Sequence, residues 1–267
     1  MSFYLPCRPE DRADYAVLTG NPDRVDLLGC YLEDVVLLGQ RREFRVLRGH
    51  VGDASVLLLS SGIGAPSAAI AVEELAELGV KVVIRLGTAM AITARLGDYI
   101  VAHHALGLDG TSATYGGSLS QGVDGPEGWA PAPPALDRPP LFEADPGLVS
   151  AFVQGGGALA LPIHEGTLVT CDGFYTQMAR GRLERGQEAL HRTWVEQGIA
   201  GVEMESAAIL AAASALGMRA GAVCVATVSG MVRDCLSPTD RRRAEENLGR
   251  LMREGIRLDW MRQRAGR

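Results

Sequence analysis

A chain of 267 residues with 47% hydrophobic side chains and 33 glycines can build a sizeable core, and one α/β domain spanning 1–267 is the expectation. A formal net charge of -6 and a pI near 5.4 exclude a protein whose main partner is a polyanion such as nucleic acid, while leaving room for a local cationic pocket. Five scattered cysteines (Cys7, Cys30, Cys171, Cys224, Cys235), with no CxxC or Cys/His ligand spacing, point away from a disulfide framework and a zinc site and toward a reducing cytoplasm.

The opening "MSFYLPCRPEDRADY" lacks a basic segment followed by an apolar one, and no apolar run reaches the roughly 18 residues that span a bilayer, so neither secretion nor a membrane partner is expected. Apolar runs at 15–20, 54–61, 81–87, 98–106, 166–171 and 220–229 are rich in Val, Ile and Leu without clean alternation, the pattern of strands buried on both faces. Amphipathic segments from Ala65 to Leu78, Glu203 to Leu216 and Asp240 to Met261 read as helices, and "TGNPDRV" (19–25) as a strand end turning into another. A mixed or mostly parallel sheet between helices follows. "YGGSLSQGVDGPEGWAPAPPALDRPP" (115–140) is too dense in Gly and Pro for long regular structure and reads as a lid or an insert. His103 and His104, adjacent on a strand, should face opposite sides, one toward the core. The basic end "RQRAGR" is too short to imply nucleic acid.

"SSGIGAPS" (60–67) follows a strand and opens a helix, but Ser67 stands where a dinucleotide fingerprint needs its third glycine, and the next strand ends in "RLGT" without a ribose-binding acid. A tight strand-to-helix turn explains the glycines without a nucleotide. Arg85, preceded by buried strand in "VVIRLGT", is read as sitting at the strand's carboxyl end, where it needs an anionic partner that phosphate can supply. Arg24 follows the turn Gly20, Asn21, Pro22 into a helix, a place where free backbone amides accept anions, although alone it also reads as a solvated charge. "GVEMESAAIL" (201–210) sets Glu203 and Glu205 among apolar residues with no Lys or Arg in the stretch. A helix N-terminus favours acids, which accounts for one of them better than for two.

Taken together, "GNPDRV", "RREF", "SSGIGAPSAAIAVEELAELGVKVVIRLGT", "LDGTS", "TCDGFY" and "GVEMESAAIL" resemble the nucleoside phosphorylase family, most of all its uridine phosphorylases, in order from about residue 15 onward. The resemblance implies a three-layer α/β/α sandwich with a central mixed sheet, and homo-oligomers, dimers joined into a hexamer, whose active sites are shared between subunits. It implies phosphorolysis, with inorganic phosphate as co-substrate and no cofactor. Phosphate would meet Gly20, Arg24, Arg85 and Thr88, with Arg42 arriving from a neighbour. Planar guanidinium forks suit phosphate oxygens, so no metal is required. Ribose would meet Glu203, Met204 and Glu205, an ionised carboxylate being the acceptor that takes two hydroxyls. Arg85 and Glu205 would then carry the catalysis. Glu43, Ile63 and Ser67 match positions where relatives hold a monovalent cation such as K+ between subunits.

The base end departs from the family. Phe174 and Arg180 fit, but Met178 stands at a family Gln with Gln177 beside it, Met90 at a glycine, and Gly230 both at a second Arg and at the acid of purine-cleaving relatives. Arg233 and Asp234 follow in that loop, and Tyr4 replaces a His that reaches the neighbour's ribose. Each lost polar partner is worth about 1–3 kcal/mol of discrimination, so phosphate and sugar recognition read as retained and base recognition as rewritten. A pyrimidine nucleoside such as uridine is the first expectation. A modified or other base, a nucleosidase using water, and a non-catalytic nucleoside-binding relative are the alternatives.

Overall fold

The computed structural model describes residues 2–118, 139–178, 184–230 and 233–266. β1 (Tyr15–Thr19) runs parallel to both β4 (Ala54–Ser60) and β5 (Val82–Ala91), and every residue of β1 is buried, as its unbroken apolar run requires. On the far side of β4 a hairpin adds β3 (Phe44–Val51) and then β2 (Glu33–Arg41), whose exposed face forms one edge of the sheet. On the other side β5 pairs with β10 (Arg219–Ser229), which leads to β6 (Tyr99–Leu108), β8 (Ile163–Cys171) and β9 (Ile199–Glu203). β9 returns to β5 through Met90 and Ala91, so these five strands close into a small circuit. The short β7 (Leu141–Glu143) and β11 (Asp234–Cys235) complete eleven strands among the described residues.

Helices cover both faces. α1 (Pro22–Gly29), α4 (Pro146–Ala158) and α7 (Pro238–Ala265) pack together on one, while α2 (Ala65–Glu77), the single turn α3 (Gly110–Ala113) and α6 (Ser206–Ala215) pack on the other; α5 (Glu184–Glu196) lies beside β9. The three-layer arrangement with a central mixed sheet is therefore as the sequence implied. α4 carries three successive glycines, which weaken a helix in isolation. Two of them serve packing: a Cβ on Gly155 would lie 3.2 Å from Glu254 of α7 and one on Gly156 would lie 2.2 Å from Ile163 of β8, while on the α7 side a Cβ on Gly255 would lie 2.7 Å from Phe152. One buried ionic cluster ties the layers together. Arg219 of β10 bonds Asp145, which caps α4, and Asp259 of α7, while Asp259 also accepts from Tyr15 of β1 at 2.7 Å.

Two expectations change. The helix read from Glu203 begins only at Ser206, because Glu203 is the last residue of β9 and Glu205 occupies the N-cap. Neither histidine of the pair is in the core: His103 lies 2.9 Å from Glu165 and His104 faces Glu143, because a bulge at Ala102/His104 breaks the alternation. The Gly/Pro-rich loop lies mostly outside the described residues, and its start continues α3 as a wide helical turn through Ser118.

Candidate active site

The sheet's carboxyl ends open into a cavity of about 940 Å³. Gly20, Asn21 and Pro22 form its wall after β1; the Asn21 side chain accepts from the Asp23 amide at 3.0 Å and starts α1, which buries Arg24 to 6% exposure. Arg85 comes from β5, and here the structure corrects the sequence: the strand continues six residues past it, to Ala91. What ends at Arg85 is the pairing with β1, whose last partner on β5 it is, so its side chain enters the gap that β1 leaves. Gly87 makes this possible. A Cβ there would stand 2.8 Å from Arg85 Nη2, and the guanidinium folds back over that position.

Both guanidiniums line this cavity, each with a buried nitrogen lacking a hydrogen-bond partner: Nε of Arg24 and Nη1 of Arg85. Arg24 Nη1 donates to Thr19 Oγ1 at 3.1 Å and Nη2 to Glu245 Oε1 of α7 at 2.9 Å. Thr88 lines it too. Buried donors without acceptors are costly, and an acceptor group that reached them would offset that cost.

Glu203 and Glu205 divide their work. Glu203 accepts from Thr170 Oγ1 at 2.5 Å and from the amides of Glu205 and Ser206 at 2.9 Å, and its Oε2 lies 2.7 Å from Arg85 Nε. It is therefore the acid that caps α6, and its oxygens are taken by the protein. Glu205 accepts from the Gly64 amide at 2.6 Å with Oε1 and pairs through Oε2 with Arg85 Nη2. Gly62 at φ +72 and Gly64 at φ +105 give the "SSGIGAPS" turn its backbone, and the Gly64 amide serves the Glu205 carboxylate. Burial and the neighbouring Glu203 raise the pKa of Glu205, and Arg85 opposes them. For Arg85, burial disfavours the charge but Glu205 and Glu203 outweigh it, so the guanidinium stays charged.

Met204 stands between the two acids on the cavity wall, and Met90, Phe174 and Met178 form the apolar end. Met90 and Met178 are buried against Trp194 and Val202. Gln177 accepts from the Gly173 amide at 2.9 Å and so supports its own turn. Arg180 lies outside the described residues. Gly230 adopts φ +53 in the turn after β10, and Arg233 beyond it pairs with Glu188.

Arg42 and Tyr4 do not enter this cavity. Arg42 turns the β2–β3 hairpin at φ +54 and stacks on Tyr4, 5.5 Å from its ring. Tyr4 lines a separate, more open groove against α2 and α3. Glu74 fixes that arm, accepting from Ser2 Oγ and from the amides of Phe3, Tyr4 and Leu5 at 2.6–2.8 Å. Of the cation set, Glu43 and Ser67 meet at 2.9 Å and Ile63 is exposed beside them. No cluster of three or more His, Cys, Asp or Glu able to hold a metal occurs among the described residues. Sequence reasoning missed Thr170, Gly87, Glu245 and Arg241, which also lines the cavity; only Thr170 and Gly87 fell within motifs already singled out.

A mixed-sheet α/β/α sandwich that gathers two buried arginines and two buried glutamates on one cavity is the arrangement of an enzyme of the nucleoside phosphorylase type. The phosphorylase superfamily profile matches residues 14–257, and the chain belongs to that superfamily. It is 30% identical over 252 residues to a uridine phosphorylase of Escherichia coli, covering 92% of each chain. It is 30% identical over 230 residues to a uridine phosphorylase of Thermococcus kodakarensis, covering 84% of this chain and 76% of the relative. A guanosine phosphorylase of Halorubrum lacusprofundi is 32% identical over 222 residues, covering 82% and 79%.

Proposed function

We propose that this chain cleaves a pyrimidine nucleoside, uridine foremost, with inorganic phosphate, releasing the free base and ribose 1-phosphate. The observation that carries the phosphate half is the pair of orphan buried donors, Arg24 Nε and Arg85 Nη1, on two arginines that line the cavity and make the proposed phosphate corner. Both guanidiniums are ion-paired, but each keeps a donor nitrogen free, and an anion with several acceptor oxygens suits two fixed donors better than a single water does, which favours phosphorolysis over hydrolysis. Gly20 and Thr88 add polar contacts there.

Glu205 next to that corner takes the ribose hydroxyls, and Glu203, committed to the α6 amides, holds it in place. A phosphate oxygen then forms its bond to the anomeric carbon as the glycosidic bond breaks and the base nitrogen leaves with the electron pair. The positive charge on the sugar at the transition state lies between the phosphate and the Glu205 carboxylate, so fixed charge and orientation supply the acceleration. The base lies toward Met90, Phe174 and Met178, with Arg180 as its polar partner. The likeness to a guanosine phosphorylase makes a purine nucleoside the second reading.

Arg42 and Tyr4, stacked together outside their own chain's cavity, would complete a neighbour's site in a homo-oligomer of dimers joined into a hexamer. Glu43, Ile63 and Ser67 would hold K+ at such an interface. Five free cysteines fit a cytoplasmic enzyme. The test is chromatography of products from pyrimidine, purine and modified nucleosides, with and without phosphate. Base release that requires phosphate is expected; release in phosphate-free buffer would make it a nucleosidase, and no release from any nucleoside would leave a binding protein.

A further inference from the structure

Beside the proposed phosphate corner stand an acid, behind Arg24, and a third arginine of the same chain that the reaction does not explain. Glu245 is on the second turn of α7, and its side chain is 19% exposed. Its single oxygen Oε1 reaches Arg24 Nη2 at 2.9 Å and Arg241 Nε at 3.5 Å. Arg241, one turn earlier, lines the cavity, and its side chain is half exposed. A carboxylate beside a phosphate site ought to weaken it by repulsion. Its geometry argues for another role. Arg24 has Thr19 on one terminal nitrogen and Glu245 on the other, which fixes the plane of the guanidinium and leaves Nε as the unpartnered buried donor.

We propose that Glu245 is a positioning residue for phosphate: it locks Arg24 so that Nε meets the anion, and draws Arg241 to the cavity rim as a third guanidinium from the same chain. This rests on the phosphate reading above. A guanidinium whose rotamer is already fixed loses less entropy on binding, so the effect belongs to phosphate affinity and leaves the chemical step alone.

The experiment combines steady-state kinetics with thermal unfolding in rising inorganic phosphate, nucleoside absent. Glu245→Ala should raise the KM for phosphate about fivefold or more, the equivalent of about 1 kcal/mol, with kcat and the nucleoside KM within about twofold. It should also blunt the phosphate-induced rise in Tm. Glu245→Gln, which keeps an oxygen opposite Arg24, should restore most of the affinity. Arg241→Ala should raise the same KM, and adding it to Glu245→Ala should cost less than the sum. A phosphate KM unchanged or lowered in Glu245→Ala, with the wild type stabilised by phosphate, overturns the role of Glu245 alone. A wild type that phosphate does not stabilise overturns the phosphate reading, and this proposal with it.

Discussion

Replacing Glu205 by Gln separates sugar recognition from phosphate recognition. The amide keeps the size of the side chain, and its oxygen can still accept from Gly64, 2.6 Å away. On the other side an NH₂ now faces Arg85 Nη2, donor against donor, at a cost of about 1 kcal/mol. The two ribose hydroxyls exchange an ionised acceptor for a neutral one, roughly 1 kcal/mol each. The two weakened hydroxyl contacts, about 2 kcal/mol together, lower kcat/KM for the nucleoside about 30-fold, while the clash with Arg85 is present with or without nucleoside and falls on stability. The assay is initial-rate base release at saturating phosphate, with the phosphate-induced Tm shift as the control that should survive. The pH profile adds a second readout. Burial raises the pKa of Glu205, so its proton returns at a pH above the ordinary glutamate range of about 4.3. Wild-type kcat/KM should fall as pH drops through that raised value, and the variant should lose this limb. A variant that keeps more than about a fifth of wild-type kcat/KM, or an unchanged acid limb, would refute the assignment of Glu205 to the sugar.

Gly87→Ala places a Cβ 2.8 Å from Arg85 Nη2 and 3.2 Å from Cys224 Sγ, so Arg85 must leave its position; kcat/KM should fall about 10-fold or more, with a stability loss of about 1–3 kcal/mol by urea titration. Gly157→Ala, where the new methyl meets nothing within 4 Å in α4, should instead gain about 0.5–1 kcal/mol and leave activity intact. Asp259→Asn breaks the Arg219 cluster and should cost about 3 kcal/mol at neutral pH. Burial opposes the charge on Asp259, but Arg219 and Tyr15 overcome it and hold its pKa below the usual range. Its contribution is therefore complete above the unfolded value of about 3.9 and is lost as pH falls through the depressed folded value, so the variant's stability should depend less on pH in that window.

The central strands were legible because a strand buried on both faces must be a continuous apolar run, and β1, β4, β5 and β10 are that. β2 and β3 were not, since β2 exposes Val35, Val36 and Leu37 on an edge where neither periodicity nor burial marks a strand. α4 was hidden by its glycines, two of which show their value only when α7 lies against Gly155 and Ile163 of β8 against Gly156. In the site, motif spelling named Arg24, Arg85 and Glu205 but not how they are held. That Glu203 caps α6 while Glu205 turns to Gly64 and Arg85 depends on where β9 ends, and Glu245 reaches Arg24 across 221 positions of sequence. Such a pairing has no local signature.

The central claim, that phosphate in the Arg24–Arg85 corner is the nucleophile, is tested most directly by ³¹P NMR of a turnover mixture containing uridine and inorganic phosphate. A sugar-phosphate resonance growing in step with free base, and lost in Arg85→Ala, is the predicted result. Base released without any new phosphorus resonance, or a resonance that persists undiminished in Arg85→Ala, would contradict it.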